Sequence, residues 1–202
     1  KRKINELGID NVQLFEMDIL EVNLLEQKFD IIECGGVLHH MNDPIKGLRS
    51  LLDVLKNSGF LKLGLYSELA RKDILKARTY IASKKIKPTE DDIRNFRNKI
   101  FSGELNELNS LEEWADFYSL SQCRDLCFHT QEHRFNINQL QETLKSNNLK
   151  FLGFLINEPV KSLYKKYFPD DKHQINLFNW AKFEEQYPNT FSGMYQFWIS
   201  KS

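Results

Sequence analysis

Between Phe29 and Tyr66 the chain reads as a compact strand, a double glycine, a strongly capped leucine helix and a second apolar strand. The first strand is Phe-Asp-Ile-Ile-Glu-Cys over Phe29 to Cys34, and it ends in Gly35-Gly36, where backbone can turn sharply or come close to a ligand. Asp43 is placed to accept backbone N–H groups as an N-cap, and Pro44 suits the first helical position. Ile45, Leu48, Leu51, Leu52 and Leu55 then make an apolar stripe, Asn57-Ser58-Gly59 ends the helix, and Phe60 to Tyr66 is the next strand. Strands joined through a helical crossover are the grammar of a parallel α/β sheet.

The flanking segments extend that grammar. Lys1 to Leu7 has helical composition and stops at Gly8, and Val12 to Met17 alternates as a strand with Asp18 at its carboxyl end. From Ser67 to about Asn148 the pattern is helical. Leu69 to Ala82 is amphipathic, Thr89 precedes an acidic first turn, and the Ser110/Glu113 and Asn136/Gln139 pairs have capping-box spacing. Strands return at Leu149 to Ile156 and Met194 to Ser200, with short helices around Val160 to Tyr167 and Phe178 to Gln186 between them. With no internal repeat and no Gly/Ser linker, residues 1–202 read as one α/β domain in which 67–148 form a helical insertion.

Charge and cysteine content narrow the function. The 28 Lys and Arg balance 28 Asp and Glu over 202 residues, so no long-range field draws the protein to nucleic acid or anionic lipid. The basic run Lys84, Lys85, Lys87 reads as a solvated helix end before Pro88. No apolar run is long enough to span a bilayer, and Cys34, Cys123 and Cys127 are too few for a disulfide framework; a cytoplasmic protein is expected.

The stretch FDIIECGGVLHHMNDP from Phe29 to Pro44, the leucine helix and the strand FLKLGLYS from Phe60 resemble the second half of a class I S-adenosylmethionine-dependent methyltransferase. FYSLSQCRDLCFHTQEHRF from Phe117 and TFSGMYQFW from Thr190 look like a bacterial subgroup whose methyltransferase domain often follows tetratricopeptide repeats. The resemblance implies an incomplete Rossmann-like methyltransferase sheet. Asn57-Ser58-Gly59 stands where the family has Pro-Gly-Gly, and the family's Gly-x-Gly cofactor turn is missing. The chain, which begins Lys1-Arg2-Lys3, is therefore expected to be truncated and to carry only part of the S-adenosylmethionine site.

Residue by residue, the resemblance implies that Asp18 contacts the adenine amino group with Ile19 beside it. Cys34, Gly35, Gly36 and Val37 would line the methionine and sulfonium region, and His39 and His40 would reach the acceptor as candidate catalytic groups. Tyr66, Ser67 and Glu68 open the insertion at a strand's carboxyl end, where ligands of open α/β sheets bind. His129, His133 and Arg134 would cap the acceptor pocket, with Arg134 suited to an anionic group on a small-molecule or protein acceptor.

Other readings compete. Gly35-Gly36 can be a tight loop, and His39 and His40 can be one packed and one solvated histidine. Cys123, Cys127, His129 and His133 invite a zinc reading, as does His129-Thr130-Gln131-Glu132-His133, but no clear further ligand follows; no metal is expected, and Cys123, Leu126 and Cys127 read as a core stripe. Phe117, Tyr118, Phe128, Phe135, Tyr195, Phe197 and Trp198 read as core. A non-catalytic interaction or oligomerisation module is the competing function. The edge of the Phe29 strand, flanked in the complete family fold by a strand missing here, is expected either to pair with Val12 to Met17 or to be covered by a second chain in a homodimer.

Overall fold

The structure, a computed structural model, describes residues 2–129 and 131–202. Its four strands, β1 (Phe29–Gly35), β2 (Leu55–Leu65), β3 (Leu149–Phe154) and β4 (Tyr195–Lys201), form one sheet in the order β1-β2-β4-β3. β1 and β2 are parallel, joined by helix α2 (Pro44–Val54), and Gly35 lies opposite Gly64. Helix α1 (Arg2–Glu6) lies where the sequence places a helix from Lys1, a residue outside those described, and it closes at Gly8 with φ +63°.

The sheet as a whole is mixed, because β4 inserts antiparallel between β2 and β3; the short helices α7 (Glu158–Tyr167) and α8 (Leu177–Gln186) return the chain to the far end before it re-enters. One expectation is corrected. Val12 to Met17 forms no strand. An extended segment needs a neighbour's N–H and C=O groups, none among the described residues pairs with it, and Val12, Leu14, Phe15 and Met17 are exposed. It does not slide against β1, whose outer edge is bare among the described residues.

The α2-to-β2 junction is tighter than the sequence implies. The Asp43 carboxylate accepts from the backbone of Ile45 and Lys46, both at 3.0 Å, but α2 stops at Val54 and β2 begins at once. Phe29 pairs with Leu55 and Ile31 with Phe60, so the residues between bulge out of register. Gly59 permits this, since a Cβ there would lie 2.9 Å from the Asp30 carbonyl oxygen.

Two cores divide the buried side chains. The sheet core joins Leu61, Leu63, Phe197 and Ile199 to Trp180 and Tyr164, whose rings stack at 3.8 Å. The second core lies within the helices after β2. It packs α3 (Lys72–Ser83), α4 (Glu90–Phe101) and α5 (Leu120–Phe128) around Ile74, Ile93, Phe96, Phe117, Cys123 and Cys127. Helix α6 (Ile137–Ser146), with its Asn136/Gln139 capping box formed, sends Ile137, Leu140 and Leu144 into the sheet core and so belongs with the sheet layer.

Local differences have local causes. Ser110 caps no α-helix; it sits inside a 3-10 segment (Asn106–Glu113) and hydrogen-bonds Asp73, while Ser119 caps α5 by accepting from Gln122 N–H at 3.1 Å. Helix α3 starts at Lys72 rather than Leu69, because the Ser67 hydroxyl first accepts from Ala70 N–H. Tyr118 is exposed, with its hydroxyl donating to the Glu112 carbonyl, whereas Phe117, Tyr195 and Phe197 are buried as expected.

Candidate functional site

The carboxyl ends of parallel strands are where open α/β sheets bind ligands, and here those ends are Gly35-Gly36 and Leu65-Tyr66. Gly36 has φ +77°, and an added Cβ at Gly35 or Gly36 would meet nothing within 4 Å, so a bare backbone shelf faces open space. Its floor is tight: a Cβ on Gly64 would lie 2.6 Å from Met194 Sδ and 3.0 Å from Gly35 Cα. Val37 is half exposed beside the shelf, and Cys34 is buried beneath it with its thiol pKa pushed up by burial.

Beyond the shelf a 3-10 turn (Leu38–His40) feeds a column of planar groups. The His39 ring lies 3.9 Å from the Tyr66 ring and 4.4 Å from His40, and His40 lies 4.3 Å from His129. His39 is wholly buried, and neither ring nitrogen has a hydrogen-bond partner among the described residues. Burial, reinforced by the neighbouring His40, lowers its pKa to about 4, so the ring is neutral near pH 7. His40 differs. Its Nδ1 lies 3.1 Å from the Gln131 carbonyl oxygen, which can only accept, so Nδ1 donates there and Nε2 points away from that bond.

The opposite face of Tyr66 is covered by Arg71, whose guanidinium carbon is 3.6 Å from the ring centroid. Glu132 holds Arg71 through bonds from Nε at 3.0 Å and Nη2 at 2.9 Å and also accepts from Arg78 at 2.9 Å. Its carboxylate is buried, and Arg134 approaches at 3.8 Å. Sequence reasoning met Glu132 only inside the zinc-like motif; the arginines that employ it lie 61 and 54 positions away. Thr130 of that motif lies outside the described residues. Cys123 and Cys127 point into the second core, where contact with Cys123 and burial push the Cys127 thiol pKa up.

Tyr66, Arg71 and Trp114 wall a cavity of about 510 Å³ between the strand ends and the insertion, within the range of small-ligand sites. Asp73, Glu113 and Asp116 also line it, with Met194 and Gln196 from the β4 side. His129, His133 and Arg134 do not line it. His129 ends the ring column, while His133 and Arg134 border a separate groove beside α2 and α6, although the His133 N–H donates to the His39 carbonyl at 2.7 Å.

The remaining candidates have partners within the scaffold. The Ser67 hydroxyl is buried and donates to Glu184 at 2.5 Å, where the Tyr195 hydroxyl also donates at 2.6 Å; burial raises the Glu184 pKa. Glu68 is exposed and accepts from Asn136 at 3.2 Å. Asp18 caps the turn after the Val12 segment by accepting from Leu20 N–H at 2.9 Å, and Ile19 packs against the sheet core.

Residues 1–63, which hold β1, the shelf, α2 and most of β2, match the methyltransferase domain family. The whole chain aligns with 40% of PKMT2 from Rickettsia typhi at TM-score 0.71 and 18% identity. It aligns with 41% of the same protein in complex with AdoHcy at TM-score 0.73 and 16% identity. The chain shares its fold with PKMT2. An uncharacterized protein from Synechococcus sp. is 33% identical over 157 residues, 72% of this chain and 36% of that protein. The uncharacterized methyltransferase YcgJ of Bacillus subtilis is 26% identical over 117 residues, 58% of this chain and 40% of that protein. The chain thus spans roughly two-fifths of the length of these proteins. Among the described residues, no helix is long and apolar enough to cross a membrane.

Proposed function

We propose that this chain supplies the acceptor side and part of the cofactor side of an S-adenosylmethionine-dependent methyltransferase. The observation that carries the reading is the open Gly35-Gly36 shelf at a strand end, beside a cavity that shares the Tyr66 wall. When bound, S-adenosylmethionine supplies a sulfonium methyl, an electrophile. The residues present fit one side of it: Gly35 and Gly36 leave room for its close approach, Val37 gives an apolar flank, and Asp18 and Ile19 are the candidates for the adenine end.

Methyl transfer depends chiefly on alignment of nucleophile and electrophile. The buried His39–Tyr66–Arg71 stack supplies a rigid wall for that purpose. His40, through the lone pair at Nε2, is the candidate to take a proton from an acceptor; His39, buried and neutral, acts as wall. The acceptor, a small molecule or a protein side chain, sits in the cavity, with Ser67 fixing the start of the insertion. Three free cysteines suit a reducing cytoplasm.

Calorimetry with S-adenosylhomocysteine tests the reading. Heat of binding that falls in Gly35→Val supports it, and an absence of binding by a natively folded chain overturns it for this chain. The second reading, an interaction or homodimerisation module, is favoured by the bare β1 edge with Ile31 exposed beside the apolar Val12 segment. Light scattering tests it, a concentration-independent monomer mass counting against it.

A further inference from the structure

The β2–β4 ladder ends at the pair Leu65 and Tyr195, and beyond it the two strands part. The β2 side turns toward the segment before α6, where the Tyr66 carbonyl accepts from Phe135 N–H at 2.9 Å. The cavity opens in that fork: Tyr66, Ala70 and Arg71 line it from one side, and Met194 and Gln196 from the other. Met194 also reaches the cofactor side, since a Cβ on Gly64 would lie 2.6 Å from its Sδ and 3.0 Å from Gly35 Cα.

Where the ladder stops, one side chain from a third element holds both strands. Glu184 of α8 accepts from the Ser67 hydroxyl at 2.5 Å through Oε1 and from the Tyr195 hydroxyl at 2.6 Å through Oε2. The Ser67 oxygen in turn accepts from Ala70 N–H at 3.1 Å. Ser67 follows Tyr66, and Tyr195 stands between Met194 and Gln196, so each carboxylate oxygen is tied to a residue next to a cavity wall. Ser67, Tyr195 and Glu184 are all at most 1% exposed.

Stability alone does not call for a carboxylate there. Burial raises the Glu184 pKa against the opposing effect of the two hydroxyl bonds; of the charged groups nearby, Glu68 adds to the rise and Lys72 opposes it. No ion pair of Glu184 forms among the described residues, and apolar replacement of buried charges is often neutral or stabilising. A carboxylate supplies what an apolar side chain lacks, two directed bonds that fix the separation of the groups donating to it.

We propose that Glu184 is a positioning residue: by holding the Ser67 and Tyr195 hydroxyls it sets the spacing between the Tyr66 and Met194 walls of the cavity and, through Met194, the floor of the glycine shelf. It touches no ligand itself. Its bearing on methyl transfer rests on the reading of this site given above.

The test compares the protein with Glu184→Gln, each labelled at its methionine methyl groups for magnetic resonance. In the parent the Met194 methyl signal is expected to shift with pH through a midpoint above the ordinary carboxylate range, because a protonated Glu184 must donate and one of the two hydroxyls has to turn. That transition is absent in Glu184→Gln, whereas the His39 titration, lower at about 4, persists in both. At pH 7 the variant is expected to bind S-adenosylhomocysteine about tenfold more weakly by calorimetry, at a melting temperature close to the parent's. A Met194 signal that does not move through this range, a transition that survives in Glu184→Gln, or equal affinity in the two proteins overturns the proposal. Should Glu184→Gln not fold, Tyr195→Phe, which removes one bond and keeps the ring, must still displace the Met194 signal and weaken binding. The methyl signal is read without ligand, so a parent that binds no S-adenosylhomocysteine yet shows the Glu184-dependent transition would remove the methyl-transfer reading and leave the hold on the cavity walls standing.

Discussion

Arg71 covers the Tyr66 ring, its guanidinium carbon 3.6 Å from the ring centroid, while its Nε and Nη2 are held by Glu132. A residue at the start of the insertion and, through it, the ring just after β2 thus depend on a single buried carboxylate from the segment before α6. Glu132→Gln leaves two largely buried arginines without their counter-charge, at a cost of about 3–5 kcal/mol. Thermal denaturation should register a fall of roughly 10 °C or more, and Glu132→Asp a smaller one. A glutamine variant that melts within about 2 °C of the parent would contradict the arrangement.

Acid sensitivity follows from His39. Its pKa in the folded protein is about 4 against 6.5 for an exposed ring, so below pH 6.5 the unfolded chain binds the proton first. The contribution is complete above that value and is lost as pH falls toward 4, with a slope of at most about 1.4 kcal/mol per pH unit. Urea denaturation of the protein and of His39→Phe across this window should differ in slope, the phenylalanine variant being the flatter.

The glycine shelf separates folding from binding. Gly36→Ala must hold φ +77° with a Cβ, a cost of about 1–2 kcal/mol. A Cβ added at Gly35 meets no atom within 4 Å, so Gly35→Val should melt like the parent while losing S-adenosylhomocysteine affinity. If Gly35→Val binds as well as the parent, the shelf is not the cofactor's seat.

Ile31 is 60% exposed on β1, at the sheet's bare edge. Ile31→Lys places a charge where strand pairing would bury it. Multi-angle light scattering at rising concentration should find less self-association in the variant, with thermal stability unchanged.

The two serine caps distinguish sequence pattern from structure. Ser119→Ala should destabilise by about 1 kcal/mol, because the hydroxyl accepts from Gln122 N–H at 3.1 Å at the start of α5. Ser110→Ala removes no α-helical cap, since Ser110 lies inside a 3-10 segment, and chemical denaturation should place its effect below that of Ser119→Ala.

Much of the fold was legible because its signals are local. Asp43-Pro44 before a leucine stripe marks α2, Asn136 with Gln139 marks α6, and the double glycine marks the strand end, each through contacts within a few residues. The Val12 segment misled because its alternation states only what a strand would bury, and pairing requires a neighbour that the described chain does not provide. Of the candidate site residues, Tyr66, His39 and His40 meet in one column of rings, while Gly35 and Gly36 stand at the end of β1. Glu132 and Trp114 carried no local signal, since a buried carboxylate acquires its role only from partners brought in by folding.

By itself the sequence determined the order of the elements, the strand-end glycines and a neutral overall charge that leaves specificity to local chemistry. Only the tertiary structure decided that β4 runs antiparallel inside the sheet, that Glu132 meets Arg71 and Arg78, and that Arg71 covers the Tyr66 ring. The reason is physical. Hydrogen-bonded turns, caps and apolar periodicity act over a few residues and are written along the chain. Charge balance and burial are properties of a place in space, and residues distant in sequence share that place only after the chain has folded.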